Sequence, residues 1–311
     1  MVDNTDSLKL LNYILTAPLK TIFNEGDSIR RQYYGNKLEI CGIVNAKSGK
    51  CGEDCKFCAQ SSHYNTDIIE YPLLETEEII KKAKRAKKYG AQRIGIVTSG
   101  NILGNSDIER LFKVIRVLVD DVGIGVCGSL GALSKKDLRR LGESGMTRYH
   151  HNIESSGRFY PMIVSTHNYK QRLETISKAK EAGLEVCSGG IIGMGEKWED
   201  RLDMALTLRE LDVDAVPLNF LVPIKGTALG NRKLLSREEA IRTIFLFRRV
   251  LKNKSIKVIA GRENVLGRSQ KLIYQAGANG MLIDGYLTVP GRSLQDDIDL
   301  ISEIKGSWNI I

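Results

Sequence analysis

Residues 39–64 read EICGIVNAKSGKCGEDCKFCAQSSHY and hold four of the six cysteines in the chain. Cys51, Cys55 and Cys58 form a C-x3-C-x2-C group, while Cys41 stands ten residues upstream, inside an apolar run that reads as a β-strand. When strands alternate with helices in a barrel, the loops after the strands carry the chemistry, and the triplet occupies the loop after the first strand. Three clustered thiolates are an incomplete set for structural zinc, which takes four Cys or His ligands, although His63 is available as a fourth. Iron-sulfur clusters are normally bound by cysteine thiolates, so three ligands on a four-iron cube leave one iron free for another partner.

Outward from this segment, helical patterns and short apolar strands alternate from residue 38 almost to the end, with no Pro/Gly/Ser linker to mark a domain break. YGAQRIGIV, SGMTRYHHN, AGLEVCSGGI and AGANGMLI each place a glycine (Gly90, Gly145, Gly183, Gly277) between a helical pattern and a strand. A glycine there accepts the left-handed conformation that satisfies the last helical carbonyls. Ser106, Ser134 and Ser236 each begin an S-x-x-E/D capping pattern. Strands are expected near 38–45, 92–98, 123–128, 147–153, 185–192, 214–221, 256–260 and 279–284. Eight β-α units predict an α/β fold, a (β/α)8 TIM-type barrel forming one domain over 1–311, with a helical cap over 1–37 and the units over 38–305. The structural competitor is an open doubly wound sheet, but no G-x-G-x-x-G follows the first strand.

With 311 residues and 42% hydrophobic content, the chain can bury a sizeable core. Its N-terminus lacks the succession of a signal peptide, and no segment approaches the roughly 18 apolar residues of a membrane span. Clustered cysteines fit a reducing compartment, so a cytoplasmic location without membrane contact is expected. The net charge of +9 does not point to nucleic acid, because the densest basic run, KKAKRAKK at 81–88, follows Glu75, Glu77 and Glu78. Acids at the start and bases at the end suit the dipole of one solvated helix. A docking surface for an acidic electron donor is the weaker reading of that run.

C-x3-C-x2-C with Phe57 before its last cysteine is similar to the signature of the radical S-adenosylmethionine superfamily, and the likeness continues through YHHNIESS, VCSGGIIGMGE, VPLNFLVPIKGT and AGRENV. In this order, over roughly residues 10–305, the motifs resemble those of the biotin synthase family. The resemblance implies a sulfurtransferase that inserts sulfur between two unactivated carbons of dethiobiotin. It also implies S-adenosyl-L-methionine, a 4Fe-4S cluster on Cys51, Cys55 and Cys58, and an auxiliary iron-sulfur cluster in the barrel that supplies the sulfur. Reduced flavodoxin or ferredoxin as electron donor, and a homodimer, follow from the same likeness. Side-chain acids and bases cannot break an unactivated C–H bond, which is the reason for radical chemistry.

Position by position, Arg172 matches an arginine that pairs with the carboxylate of S-adenosylmethionine, which suits a guanidinium fork. Asn152 and Glu154 match residues that hold the ribose, with Asn152 also near the substrate; Glu stands where the family has Asp. Phe57 and Ile191 or Ile192 would flank the adenine. Asn219 matches the asparagine on the ureido ring of dethiobiotin, and His150 stands where the family usually has Asn. The family's auxiliary cluster is usually a 2Fe-2S unit held by three cysteines and an arginine. Cys127 and Cys187 are retained here, but Gly95 and Lys257 occupy the other two positions, with Arg93 nearby as a second neighbour of the cluster. Cys41 takes the place of a small hydroxyl residue near that cluster, which makes it a natural third thiolate. Three thiolates match a four-iron cube with one open corner better than a two-iron rhomb. Lys257, as an ammonium, has no lone pair to give and is expected to compensate charge or hydrogen-bond sulfur. Two other readings stand beside this one: a related radical enzyme, such as a methylornithine synthase or a hydrogenase-cofactor maturase, and a non-catalytic iron-sulfur carrier.

Overall fold

The computed structural model of the chain describes residues 4–289 and 291–308. Among the described residues there are nine parallel strands: β1 (Glu39–Lys47), β2 (Arg93–Thr98), β3 (Gly125–Ser129), β4 (Arg148–His150), β5 (Glu185–Cys187), β6 (Gly190–Ile192), β7 (Ala215–Phe220), β8 (Ser255–Val258) and β9 (Gly280–Leu282). Their order is β5-β4-β3-β2-β1-β9-β8-β7-β6, and β5 also pairs with β7, so the sheet closes on itself. The barrel has eight staves because β5 and β6 are one stave broken at Ser188 and Gly189.

The break has a physical cause. The Gly189 N–H donates to the Asn152 side chain at 3.1 Å, and its carbonyl accepts from the Glu154 N–H at 3.1 Å. The segment after β4 therefore inserts where a ladder partner would otherwise sit. Gly189 is required at this point, since a Cβ would lie 1.9 Å from the Pro217 carbonyl oxygen. Glu154 itself takes the left-handed φ of 64° that the insertion imposes.

Strand alternation separates two environments. On β1, Ile40, Gly42, Val44 and Ala46 are buried against the outer helices, whereas Glu39, Cys41, Ile43 and Asn45 face inward and remain partly accessible. β2 and β3 repeat the pattern, with Arg93, Gly95, Val97, Cys127 and Ser129 on the accessible face. Many barrels fill this space with branched side chains. Here the lumen is hollow, and the apolar core lies between the strands and the helices.

The outer layer runs α3 (Thr76–Lys88), α4 (Asn105–Val117), α5 (Lys135–Glu143), α6 (Tyr169–Glu181), α7 (Trp198–Glu210), α8 (Arg237–Val250), α9 (Arg262–Leu266), α10 (Lys271–Gln275) and α11 (Leu294–Trp308). Gly90, Gly145, Gly183 and Gly277 all have positive φ at the helix-to-strand turns. Ser134 and Ser236 cap α5 and α8 by accepting from the Asp137 and Glu239 N–H groups. Ser106 does not cap: α4 starts one residue earlier at Asn105, with Gly104 at the cap position. The charge order expected of the 75–88 segment is present on α3, with Glu77 and Glu78 in its first turn and Arg85, Lys87 and Lys88 in its last.

Two helices precede β1, α1 (Asn4–Thr16) and α2 (Leu19–Tyr34), and lie against the outer helices. Arg242 on α8 donates to the Ile14 and Ala17 carbonyls at 2.6 and 3.0 Å. Gly26 lets α2 touch the Ala276 backbone.

Candidate active site

Three layers of functional side chains can be built up from the bottom of the lumen. The lowest is a charged floor near the N-terminal ends of the strands. Glu39 Oε1 accepts from Lys257 Nζ at 2.8 Å and from Arg148 Nη1 at 2.7 Å, and Glu39 Oε2 accepts from the Ser255 hydroxyl at 2.7 Å. Glu185 Oε2 accepts from Arg148 Nε at 2.9 Å and Arg93 Nη2 at 3.1 Å. Burial alone would raise the Glu39 pKa, but Lys257 and Arg148 hold it down to about 2. Lys257 is buried, which disfavours its charge, yet Cys41, Cys187 and Glu39 around it hold its pKa above the ordinary lysine value. It is an ammonium at neutral pH. Three cations (Arg93, Arg148, Lys257) against two carboxylates (Glu39, Glu185) leave the floor with one excess positive charge.

The second layer holds the thiols Cys41, Cys127 and Cys187, which line one cavity with Lys257, Arg93 and Gly95. All six cysteines are free. Burial pushes all three of these thiols up, and the nearby Lys257 opposes it; Lys257 Nζ donates to Cys41 Sγ at 3.3 Å. A Cβ on Gly95 would meet only ordinary contacts at 3.7 Å, so the lumen has unfilled space beside Cys127, its partner in register. Thiols, spare volume and excess positive charge together fit an anionic metal-sulfur group. Among the described residues no three His, Cys, Asp or Glu side chains are grouped so as to hold a single metal ion. His63, the candidate fourth zinc ligand, instead meets the Gly52 carbonyl at 3.1 Å.

At the mouth, the cysteine loop is pinned from both sides. The Asp54 carboxylate accepts from the Ser165 N–H at 2.8 Å and the Thr166 N–H at 3.2 Å, and also from both hydroxyls. Slight burial would raise its pKa, but these four donors hold it well below the usual carboxylate range. Cys55, Phe57, Cys58 and Ile191 belong to an apolar cluster with Tyr160, Ile163, Val164, Met194 and Leu221. Arg172 reaches in from α6, donating to the Tyr160 hydroxyl at 3.0 Å and lying 3.5 Å from His151 Nε2. Burial works against its charge, while Glu154 and Tyr160 favour it.

Between mouth and thiols stand His150, Asn152, Glu154 and Asn219. Burial lowers His150 to about 4, so its imidazole is neutral. Asn219 donates to the Gly190 carbonyl at 3.3 Å and accepts from the Ala260 N–H at 3.2 Å, which fixes its amide and leaves one N–H and one lone pair. Burial raises Glu154, with Arg172 opposing.

A single cavity of about 370 Å³ joins all three layers, within the range of roughly 300–1,000 Å³ typical of small-molecule sites. Phe57, Cys58, Asn152, Glu154, Arg172, Ile191, Asn219, Arg93, Lys257 and the three lumen cysteines all line it. Cys51 and Cys55 are not among the residues that line it, and Ile192 belongs to the packing between barrel and helices.

Known proteins match this arrangement along the chain. A family model described as the radical SAM superfamily matches residues 46–208, and one described as a biotin and thiamin synthesis associated domain matches 217–305. A biotin synthase of Thermotoga petrophila is 52% identical over 86% of this chain and 90% of its own; one of Clostridium botulinum is 46% identical over 94% and 91%. The chain belongs to the biotin synthase family. As a member it is a radical S-adenosylmethionine enzyme, a sulfurtransferase whose family uses S-adenosylmethionine, a 4Fe-4S cluster and an auxiliary cluster. Methylornithine synthase (TM-score 0.79, 17% identity, covering 94% of this chain and 91% of its own) shares the fold. So does an FeFe-hydrogenase maturase of Carboxydothermus hydrogenoformans (0.79, 17%, 94% and 73%).

Sequence reasoning missed several residues that the fold brings to this cavity. Glu39 and Arg148 bear no motif, and only the closed barrel brings them to Lys257 from residues 109 and 218 positions apart in the chain. His151 and His167 converge on Arg172, and the HH pair at 150–151 was the one available signal. Arg262, in the AGRENV motif, is structural: its buried guanidinium donates to Asp297 at 2.6 Å, the Leu282 carbonyl at 3.0 Å and Gln270 at 3.0 Å.

Proposed function

We propose that this chain converts dethiobiotin to biotin, with Cys51, Cys55 and Cys58 holding the 4Fe-4S cluster and Cys41, Cys127 and Cys187 holding the auxiliary one. The observation that carries the reading is the continuous cavity from the mouth loop to the lumen thiols. Two metal-sulfur sites at opposite ends of one small-molecule pocket are what a radical sulfur insertion requires. When bound, the mouth cluster supplies an electron that cleaves S-adenosylmethionine to a carbon radical, and the auxiliary cluster supplies sulfur.

The chain's own residues bind, orient and exclude water. Arg172 offers a guanidinium edge to the carboxylate of S-adenosylmethionine, and Tyr160 fixes its angle. Glu154 and Asn152 present oxygen and amide groups to the ribose, held by the backbone exchange with Gly189 and Gly190. Phe57 and Ile191 supply apolar surface for the adenine. Asn219, with its amide fixed, has one donor and one acceptor for the ureido group. Neutral His150 can donate or accept on the same substrate without adding charge. Below them, Lys257 donates to Cys41 sulfur and Glu39 restrains Lys257, so the floor offers fixed positive charge to an anionic cluster. The three thiolates favour a four-iron auxiliary cluster over the usual 2Fe-2S unit.

Reduced flavodoxin or ferredoxin as donor, a homodimer and a cytoplasmic setting complete the proposal. No helix among the described residues is long and apolar enough to cross a membrane. An anaerobic assay with dithionite, S-adenosylmethionine and dethiobiotin tests the reading: biotin with 5′-deoxyadenosine supports it. Deoxyadenosine without biotin indicates a different radical reaction, and neither product from cluster-loaded protein indicates a carrier.

A further inference from the structure

His167 is not among the residues that the motifs single out, yet its side chain is only 3% exposed and lies between Tyr160 and Cys55. One of the two tautomers gives these contacts a direction. Arg172 Nε–H donates to the Tyr160 oxygen at 3.0 Å, because a guanidinium has no lone pair to offer. The Tyr160 hydroxyl hydrogen is then free for His167 Nδ1, 2.7 Å away. An imidazole that accepts at Nδ1 carries its proton on Nε2.

That N–H faces Cys55 Sγ at 3.9 Å and Glu53 Oε2 at 3.8 Å, and Glu53 Oε2 is a buried oxygen with no hydrogen-bond partner among the described residues. The competing tautomer would turn Nε2 into an acceptor for Arg172 Nη2 at 3.3 Å, leaving both the sulfur and the Glu53 oxygen without a donor. A carboxylate bound to the two terminal nitrogens of Arg172 would remove that competitor.

We propose that His167 donates an N–H···S hydrogen bond to Cys55, oriented by Tyr160 and Arg172, and thereby sets the reduction potential of the mouth cluster. The inference rests on the assignment of Cys55 as a cluster ligand. Hydrogen bonds to cluster sulfur favour the reduced, more negative form and raise the potential. His167 is a positioning residue in this scheme and transfers no proton.

EPR-monitored redox titration of the anaerobically reconstituted protein, with and without S-adenosylmethionine, tests it. His167→Phe should move the midpoint to a more negative potential at unchanged iron content, and His167→Gln, which retains an N–H donor, should recover part of the shift. Tyr160→Phe removes the group that orients the imidazole and should shift the midpoint the same way, which keeps the test open if His167→Phe does not fold. A wild-type midpoint in His167→Phe, or in Tyr160→Phe where the first variant is not obtained, overturns the proposal. A wild-type protein with no four-iron EPR signal would overturn the ligand assignment itself.

Discussion

Lys257 is the residue on which the lumen is balanced, because it touches both the Glu39 carboxylate and the Cys41 sulfur. Removing one partner of a buried pair leaves the other charge uncompensated, at a cost of about 3–5 kcal/mol. Arg148 still faces Glu39 in Lys257→Met, so the lower end, about 3 kcal/mol, is expected in urea unfolding of the cluster-free protein. Lys257→Arg, which keeps the charge, should lose less. At Gly95 the expectation is opposite. The space there accepts a Cβ, so Gly95→Cys should fold with stability within about 0.5 kcal/mol of the parent, the range for substitutions that disturb no special feature. The presence of Cys41 and Lys257 was legible in the sequence, since both depart from a recognisable pattern. The carboxylate on the other side of Lys257 was not, because Glu39 reads as an ordinary polar residue at the start of a strand until the barrel closes.

At the scale of elements, hydrophobic alternation and the glycines after helices were enough to locate eight β-α units. The broken fifth stave was not readable. VCSGGII has the composition of one continuous strand, and the cause of the break, Asn152 and Glu154 on Gly189, lies more than 30 residues away in sequence. Gly189→Ala would force a Cβ against the Pro217 oxygen and should cost about 3 kcal/mol, the upper part of the usual range for overpacking. The capping serines separate signal from coincidence. Ser134→Ala and Ser236→Ala should each cost about 1 kcal/mol, whereas Ser106→Ala, already inside α4, should cost close to nothing. Chemical denaturation of the three single variants under identical conditions distinguishes these cases.

The whole molecule is organised around a hollow lumen, and its apolar core is displaced outward between strands and helices. The fold therefore depends on links that close the barrel without filling it. Arg262 joins the end of β9 to α9 and α11 through Asp297, and Asp297→Leu should destabilise the chain by about 4 kcal/mol, as for a broken buried ion pair. A hollow barrel with one charged floor and thiols at two heights is the arrangement on which the functional reading stands. Mössbauer spectroscopy with iron and sulfide counting on the anaerobically reconstituted protein tests it most directly. Two spectrally distinct clusters are expected, of which Cys41→Ala loses the second and keeps the four-iron mouth cluster. A single four-iron cluster in the parent protein, unchanged in Cys41→Ala, would contradict it.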